Sequence, residues 1–268
     1  MARSLPNQNG SKKALVPGLS PSSPYVSRLS ARSALFTEFH LLLDSQKTAL
    51  PSTDYRALVL TENKLYRPSA SAREKIWQEL KKRYRLNALD PLFAAFWEEW
   101  QRCASDTERG LTAYILLAMN DRLVADLGKE LLFPLLRRAP AELRVADVRA
   151  FIERAKTTHS EVREWSDETR FAVAKKYCAS IRDFGLANGI VHKITVRPAL
   201  YGAPVRLLVR ALRLAGVPPL NLVRAQAFRL IGLNDTEVID ALGKLNSVGA
   251  LRFRMQGDIM ELDVTENC

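Results

Sequence analysis

The chain has 268 residues, of which 47% are hydrophobic and 26% charged. That length suits one large domain or two small ones, and the balance of apolar to charged residues supports a sizeable core and excludes wholesale disorder. Lys and Arg number 40 against 29 Asp and Glu, a net charge of +11. Such an excess draws a protein toward polyanions: nucleic acid, an anionic membrane or an acidic partner.

Cys103, Cys178 and Cys268 are scattered and odd in number, which reads as free thiols in a reducing compartment. His40, His159 and His192 are equally scattered, so no metal site and no cofactor is expected. The longest apolar run, Ala113 to Met119, is too short to span a membrane. No apolar segment follows Arg3, Lys12 and Lys13 in the manner of a secretory signal. The expected location is the cytosol.

Residues 1–29 are rich in Ser, Pro, Gly and Asn, carry only positive charges and show no apolar period; they read as a flexible basic tail. Helical spacing starts near residue 31, with Ala34, Leu35, Phe39 and Leu42 on one face. A short helix is expected from Asp54 to Thr61. Ser71-x-x-Glu74 has the form of a capping box ahead of Ile76, Leu80 and Tyr84. Asp90-Pro91 supplies a cap and a proline at the first helical position. Phe93, Phe96, Trp97 and Trp100 follow at i, i+3, i+4 and i+7, a core stripe rather than a stacking box. Ser105-x-x-Glu108 opens the next helix, and Pro134 should kink or break the apolar segment from Asp121 to Arg138. Val148, Phe151, Ile152 and Ala155 make another amphipathic helix. A long helix begins at Ser166, buries Val173, Tyr177, Ile181 and Phe184, and ends at Gly185 and Asn188-Gly189. Alternation at Ile190, His192, Ile194 and Val196 suggests a short strand.

Beyond Pro198 the organisation changes. Helices are expected over 205–214, 220–231 and 235–247, the last opened by Asn234 with Glu237 three residues on. Gly249 stands where a left-handed residue is wanted. Leu251 to Met255 and Met260 to Val264 alternate apolar with charged residues about Gly257-Asp258, a hairpin signal that would lay Phe253, Met255, Leu262 and Val264 over the helices. Three helices and a hairpin give the order of a winged helix. The division is therefore a tail over 1–29, a helical domain over 30–188 and a winged-helix-like domain over 189–268, in a mostly α fold.

In these motifs the chain resembles the BrxA family of the BREX phage-resistance systems of bacteria. The resemblance runs from about Asp54 to Val264. It rests on Glu74-Lys75-Ile76, on Trp165-Ser166-x-x-Thr169-Arg170, and above all on Gly249 to Arg254 with Gly257-Asp258; the leader before residue 31 departs from the pattern. It implies a helical N-terminal part, a winged-helix-like C-terminal part, binding of double-stranded DNA, and a role beside a methyltransferase and other BREX proteins. No catalytic residue carries over.

Between Phe184 and Asn234 there is no Asp or Glu, while Lys193, Arg197, Arg206, Arg210, Arg213, Arg224 and Arg229 all fall there. Arg206, Arg210 and Arg213 at i, i+4 and i+7 form one stripe, and guanidinium forks suit phosphate oxygens. Arg252 and Arg254 leave the hairpin on one face. The expected DNA contacts are Lys193, Arg197, Arg206, Arg210, Arg213, Arg224, Arg252 and Arg254. The third helix offers Glu237 and Asp240 with Lys244 alone as a base, so it reads as a weak base reader. Lys81-Lys82-Arg83 with Arg85 is a second basic cluster, offset by Glu74 and Glu79. No phosphate-binding loop, dinucleotide fingerprint, nucleophile elbow or deaminase pattern occurs, and Glu98-Glu99 read as solvated, so no enzyme activity is expected. The alternative function is an assembly adaptor whose winged helix meets protein, with Glu237 and Asp240 on a basic partner.

Overall fold

The computed structural model describes residues 15–199, 202–256 and 259–263. A leader containing the 3-10 turns Pro17–Leu19 and Arg28–Ser30 precedes α1 (Phe36–Asp44), α2 (Ser52–Leu60), α3 (Ala70–Tyr84), α4 (Pro91–Gln101) and α5 (Asp106–Asn120). Next come α6 (Arg122–Asp126), a π turn (Leu127–Leu132), α7 (Phe133–Arg137), α8 (Val145–Ala155), α9 (Ser160–Arg163) and α10 (Asp167–Asp183). A small hairpin, β1 (Ala187–Asn188) with β2 (Ile194–Thr195), leads to α11 (Gly202–Leu214), α12 (Pro219–Leu222), the 3-10 turn Gln226–Ile231, α13 (Asp235–Ser247), β3 (Arg252–Gln256) and β4 (Ile259–Asp263). The fold is mostly helical with two small antiparallel strand pairs.

Local chemistry explains most boundaries. Asp90 accepts from the amides of Leu92 and Phe93, with Pro91 beside it, and Ser105 and Ser166 cap α5 and α10 in the same way. Asn234 and Glu237 form a full capping box on α13. The cap of α3 is Ser69 rather than Ser71, and Glu74 instead pairs with Arg56. The segment around Pro134 is divided: α6 gives way to a π turn, and the proline falls in the first turn of α7, where its missing amide costs least. The expected helix over 220–231 splits at Val223 to Ala225 into a short α turn and a 3-10 turn. Leu222, Val223, Ala227, Phe228, Leu230 and Ile231 are all buried there, too many directions for a single α stripe.

The core centres on α5, whose residues from Gly110 to Asn120 are buried almost without interruption. Phe93, Phe96, Trp97 and Trp100 are buried against it, Phe96 and Trp100 with ring centroids 5.5 Å apart. Helix α11 lies on α4 and α5, and its residues from Ala203 to Val209 are buried. A single hydrophobic cluster runs from the leader to Leu262.

The leader overturns the expectation of a flexible tail from Leu15 onward. Val16, Tyr25 and Leu29 are buried, and Gly18 sits against the backbone of Ala118. Residues 1–14 of that expectation lie outside the described residues. The hairpin pairs Phe253 with Leu262 and Gln256 with Ile259, the register that a two-residue connection requires; Gly257-Asp258 and Val264 themselves lie outside the described residues. Phe253 and Leu262 are buried as expected, but Met255 is 45% exposed. It lines a cleft with Met260, Leu220 and Ile239 between the hairpin and helices α12 and α13.

Candidate nucleic-acid interface

The acid-free stretch divides into an inner and an outer set of cations. Arg206 faces the interior at 8% exposed, with its Nε 2.8 Å from Oε2 of Glu99, a carboxylate with no solvent contact. Arg210 pairs with Glu98 at 2.5 Å and with Glu99 at 3.2 Å. Burial pushes the Glu99 carboxyl above its ordinary range, against the pull of Arg206, Arg210 and Arg102. Two expectations are corrected here. Glu99 is not solvated, and Arg206 with Arg210 is not an outward phosphate stripe. The stripe spacing is real, but α4 supplies the acids that the sequence near α11 lacks, and the pairs pin α11 to the core.

The outer set begins at the small hairpin. Lys193 is partly exposed and donates to the carbonyl of Ile190 at 2.9 Å. Arg197 is exposed and pairs with Glu237 of α13. Arg137 reaches the same carboxylate at 2.6 Å. Desolvation works against ionisation of Glu237, but hydrogen bonds from Arg137, the Asn234 amide and Arg197 outweigh it and hold the carboxyl at about 2. Two guanidinium groups thus share one carboxylate at the N-terminal end of α13. The basic partner that an adaptor would present to Glu237 is already supplied within the chain.

A folded-state value held below the ordinary one stabilises the fold above the unfolded value and is lost on acidification. Glu237→Gln should therefore lower unfolding free energy at neutral pH by about 1–2 kcal/mol once solvent screening is allowed for. The difference should shrink between the ordinary value of 4.5 and about 2. Urea titrations at several pH values measure this; a difference independent of pH would remove the ion-pair explanation.

Arg224 is exposed and lines the cleft beside Asp235. Arg213 is half exposed and donates to Asp263 at 2.7 Å. On the hairpin, Arg252 stands opposite Asp263 and Arg254 opposite Glu261. Arg252 also reaches Glu261 at 3.3 Å. The hairpin face expected to be basic is therefore balanced by its own cross-strand acids, which the same alternation places on that face. On α13, Asp235, Asp240 and Lys244 are exposed.

The second basic cluster divides: Lys81 and Lys82 are exposed, while its two arginines are structural. Arg83 is fully buried, pairs with Glu79 and donates to the carbonyls of Arg28 and Arg32 at 2.9 Å, while Arg85 pairs with Asp90 at 2.5 Å. Among the described residues no group of three or more His, Cys, Asp or Glu is arranged to hold a metal ion, and no helix is long and apolar enough to cross a membrane.

The model of the BrxA family matches residues 23–210. This chain belongs to the BrxA family. Membership makes it a component of a BREX phage-defence system, working alongside other BREX proteins. The BrxA match starts inside the leader, earlier than the resemblance had suggested, and ends within α11. The hairpin residues Gly249 to Arg254, on which that resemblance leaned most, lie beyond it. No curated protein matches the chain.

Proposed function

We propose that this BrxA-family chain is a non-enzymatic DNA-binding accessory protein of BREX defence, cytoplasmic, with a winged-helix-like C-terminal part, that holds duplex DNA mainly by its phosphates and with low sequence specificity. The observation that carries the reading is the outer set of cations left over after the core has taken Arg206 and Arg210. Lys193 and Arg224 have no ion-pair partner among the described residues, and Arg197 with Arg137 shares a single carboxylate. Arg213, Arg252 and Arg254 extend the set toward the hairpin, where cross-strand acids weaken their claim. Exposed Asp235 and Asp240 repel phosphates and keep α13 itself from the groove, which leaves contact to the cations around it and little base reading.

Neutralising phosphates releases condensed counterions, so affinity should fall steeply with salt, with a slope of about 0.9 per phosphate contacted. Lys193→Ala/Arg197→Ala/Arg224→Ala should weaken binding alike on unrelated duplexes and flatten that slope by roughly 2 to 3. Arg252→Ala/Arg254→Ala should have the smaller effect. Anisotropy titrations across salt concentrations measure both. Absence of a salt slope, or a triple variant that binds as wild type, would overturn the reading. Co-purification with other BREX proteins without DNA binding would point to the adaptor.

A further inference from the structure

The connection between β1 and β2 presents two aliphatic side chains to solvent. Ile190 is 80% and Val191 81% exposed. A flexible loop would fold such side chains back, but this tip is braced. Gly189 turns with φ +94°, and a Cβ there would lie 2.0 Å from the carbonyl oxygen of His192. Behind the tip, β2 pairs with β1 on one side and with the segment at Glu142 on the other. The Leu143 amide donates to the Lys193 carbonyl at 2.8 Å and the Thr195 amide to the Ala141 carbonyl at 2.7 Å. Thr195, 1% exposed, anchors the base of the hairpin.

The surroundings of the tip are basic. Lys193 and Arg197 follow it in an acid-free run, and the carboxylate it touches, Glu142, is already held by His192 at 2.7 Å and by Arg144 at 2.9 Å. A rigid aliphatic point with Lys193 on it and Arg144 behind it suits an apolar base step lying beside a phosphate backbone. Proteins that insert an aliphatic residue between base pairs unstack them partly and kink the duplex.

Resting on the DNA-binding reading, we infer that the Ile190-Val191 tip is a wedge that enters duplex DNA and unstacks a base step while Lys193 holds the adjoining phosphate. Pyrimidine–purine steps, the easiest to unstack, should accept it best.

The test uses the full chain and a short duplex with 2-aminopurine at a central T-A step, read by fluorescence, with donor and acceptor dyes on the ends of a second copy to read bending. Wild type should raise 2-aminopurine fluorescence several-fold and shorten the end-to-end distance. Ile190→Ser/Val191→Ser removes only exposed side chains and should leave the fold intact. It should retain most of the affinity and its salt slope, yet lose the fluorescence rise and the bend. Wild-type binding without fluorescence rise or bend, or a double variant that matches wild type in both, overturns the wedge and leaves DNA binding standing. Absence of any binding at low salt overturns the DNA-binding reading and the wedge with it.

Discussion

Arg206→Ala should destabilise the protein by about 3–5 kcal/mol, because it leaves the buried carboxylate of Glu99 without its nearest counter-charge. Glu99 has no solvent contact and the Arg206 Nε–Oε2 distance is 2.8 Å, against 3.2 Å for Arg210 and 3.3 Å for Arg102, so the closest of its three ion pairs is lost. Arg210→Ala should cost less, since it leaves the Arg206 bond in place and also touches exposed Glu98. Replacing the pair together with apolar residues of similar volume, Glu99→Leu/Arg206→Met, should recover most of the loss, because the desolvation penalty disappears with both charges. Urea unfolding midpoints at constant slope measure all three. Under conditions where Arg206→Ala remains folded, its DNA affinity should match wild type. Loss of affinity at unchanged stability would restore Arg206 to the interface.

This pair shows where the sequence could be read and where it could not. Helix faces were legible because an apolar period repeats locally: Phe93, Phe96, Trp97 and Trp100 are buried together, as are Val148, Phe151, Ile152 and Ala155. Caps at Asp90, Ser105, Ser166 and Asn234 were legible because a cap acts within three residues. The fate of each arginine was not. Arg206 and Glu99 are 107 positions apart, and Arg137 and Glu237 are 100 apart, so an acid-free stretch of sequence says nothing about acids that the fold brings to it. Arg197 and Arg206 look alike along the chain; packing of α11 on α4 decides that one is outside and one inside. The balanced hairpin face was the exception. Glu261 and Asp263 alternate in step with Arg252 and Arg254, and strand pairing alone would have set them opposite each other. The exposed tip at Ile190 and Val191 was hidden inside an alternating pattern that suggested strand, although only Ala187–Asn188 and Ile194–Thr195 pair.

The leader offers the second large effect, and Gly18→Ala is the substitution that reports it. A Cβ at Gly18 would lie 2.0 Å from the Ala118 carbonyl oxygen and 2.9 Å from the Met119 Cα. Both belong to the backbone of the central helix α5 and cannot move aside, so the leader must lift. Its backbone has few hydrogen bonds of its own, and the core's side chains satisfy it instead. Arg85 donates to the Leu15 carbonyl at 2.8 Å and Arg122 to that of Ser20 at 2.6 Å, while Arg83 takes those of Arg28 and Arg32. Glu161 accepts from the Tyr25 amide at 2.6 Å, and the Tyr25 hydroxyl donates to Asp126 at 2.8 Å with its ring stacked on His159. Lifting the segment breaks several of these at once and uncovers the sites of Val16, Tyr25 and Leu29. The cost should reach at least the upper end of the roughly 1–3 kcal/mol usual for overpacking. Tyr25→Phe, which keeps the ring and removes one bond to a charged group, should cost about 1–3 kcal/mol. Trypsin gives a second readout. Arg28 and Arg32 should resist cleavage in the wild type and be cut early in Gly18→Ala, before the body of the protein unfolds. If Gly18→Ala is as stable as wild type and Arg28 is cut equally fast in both, the leader does not hold to α5 in solution.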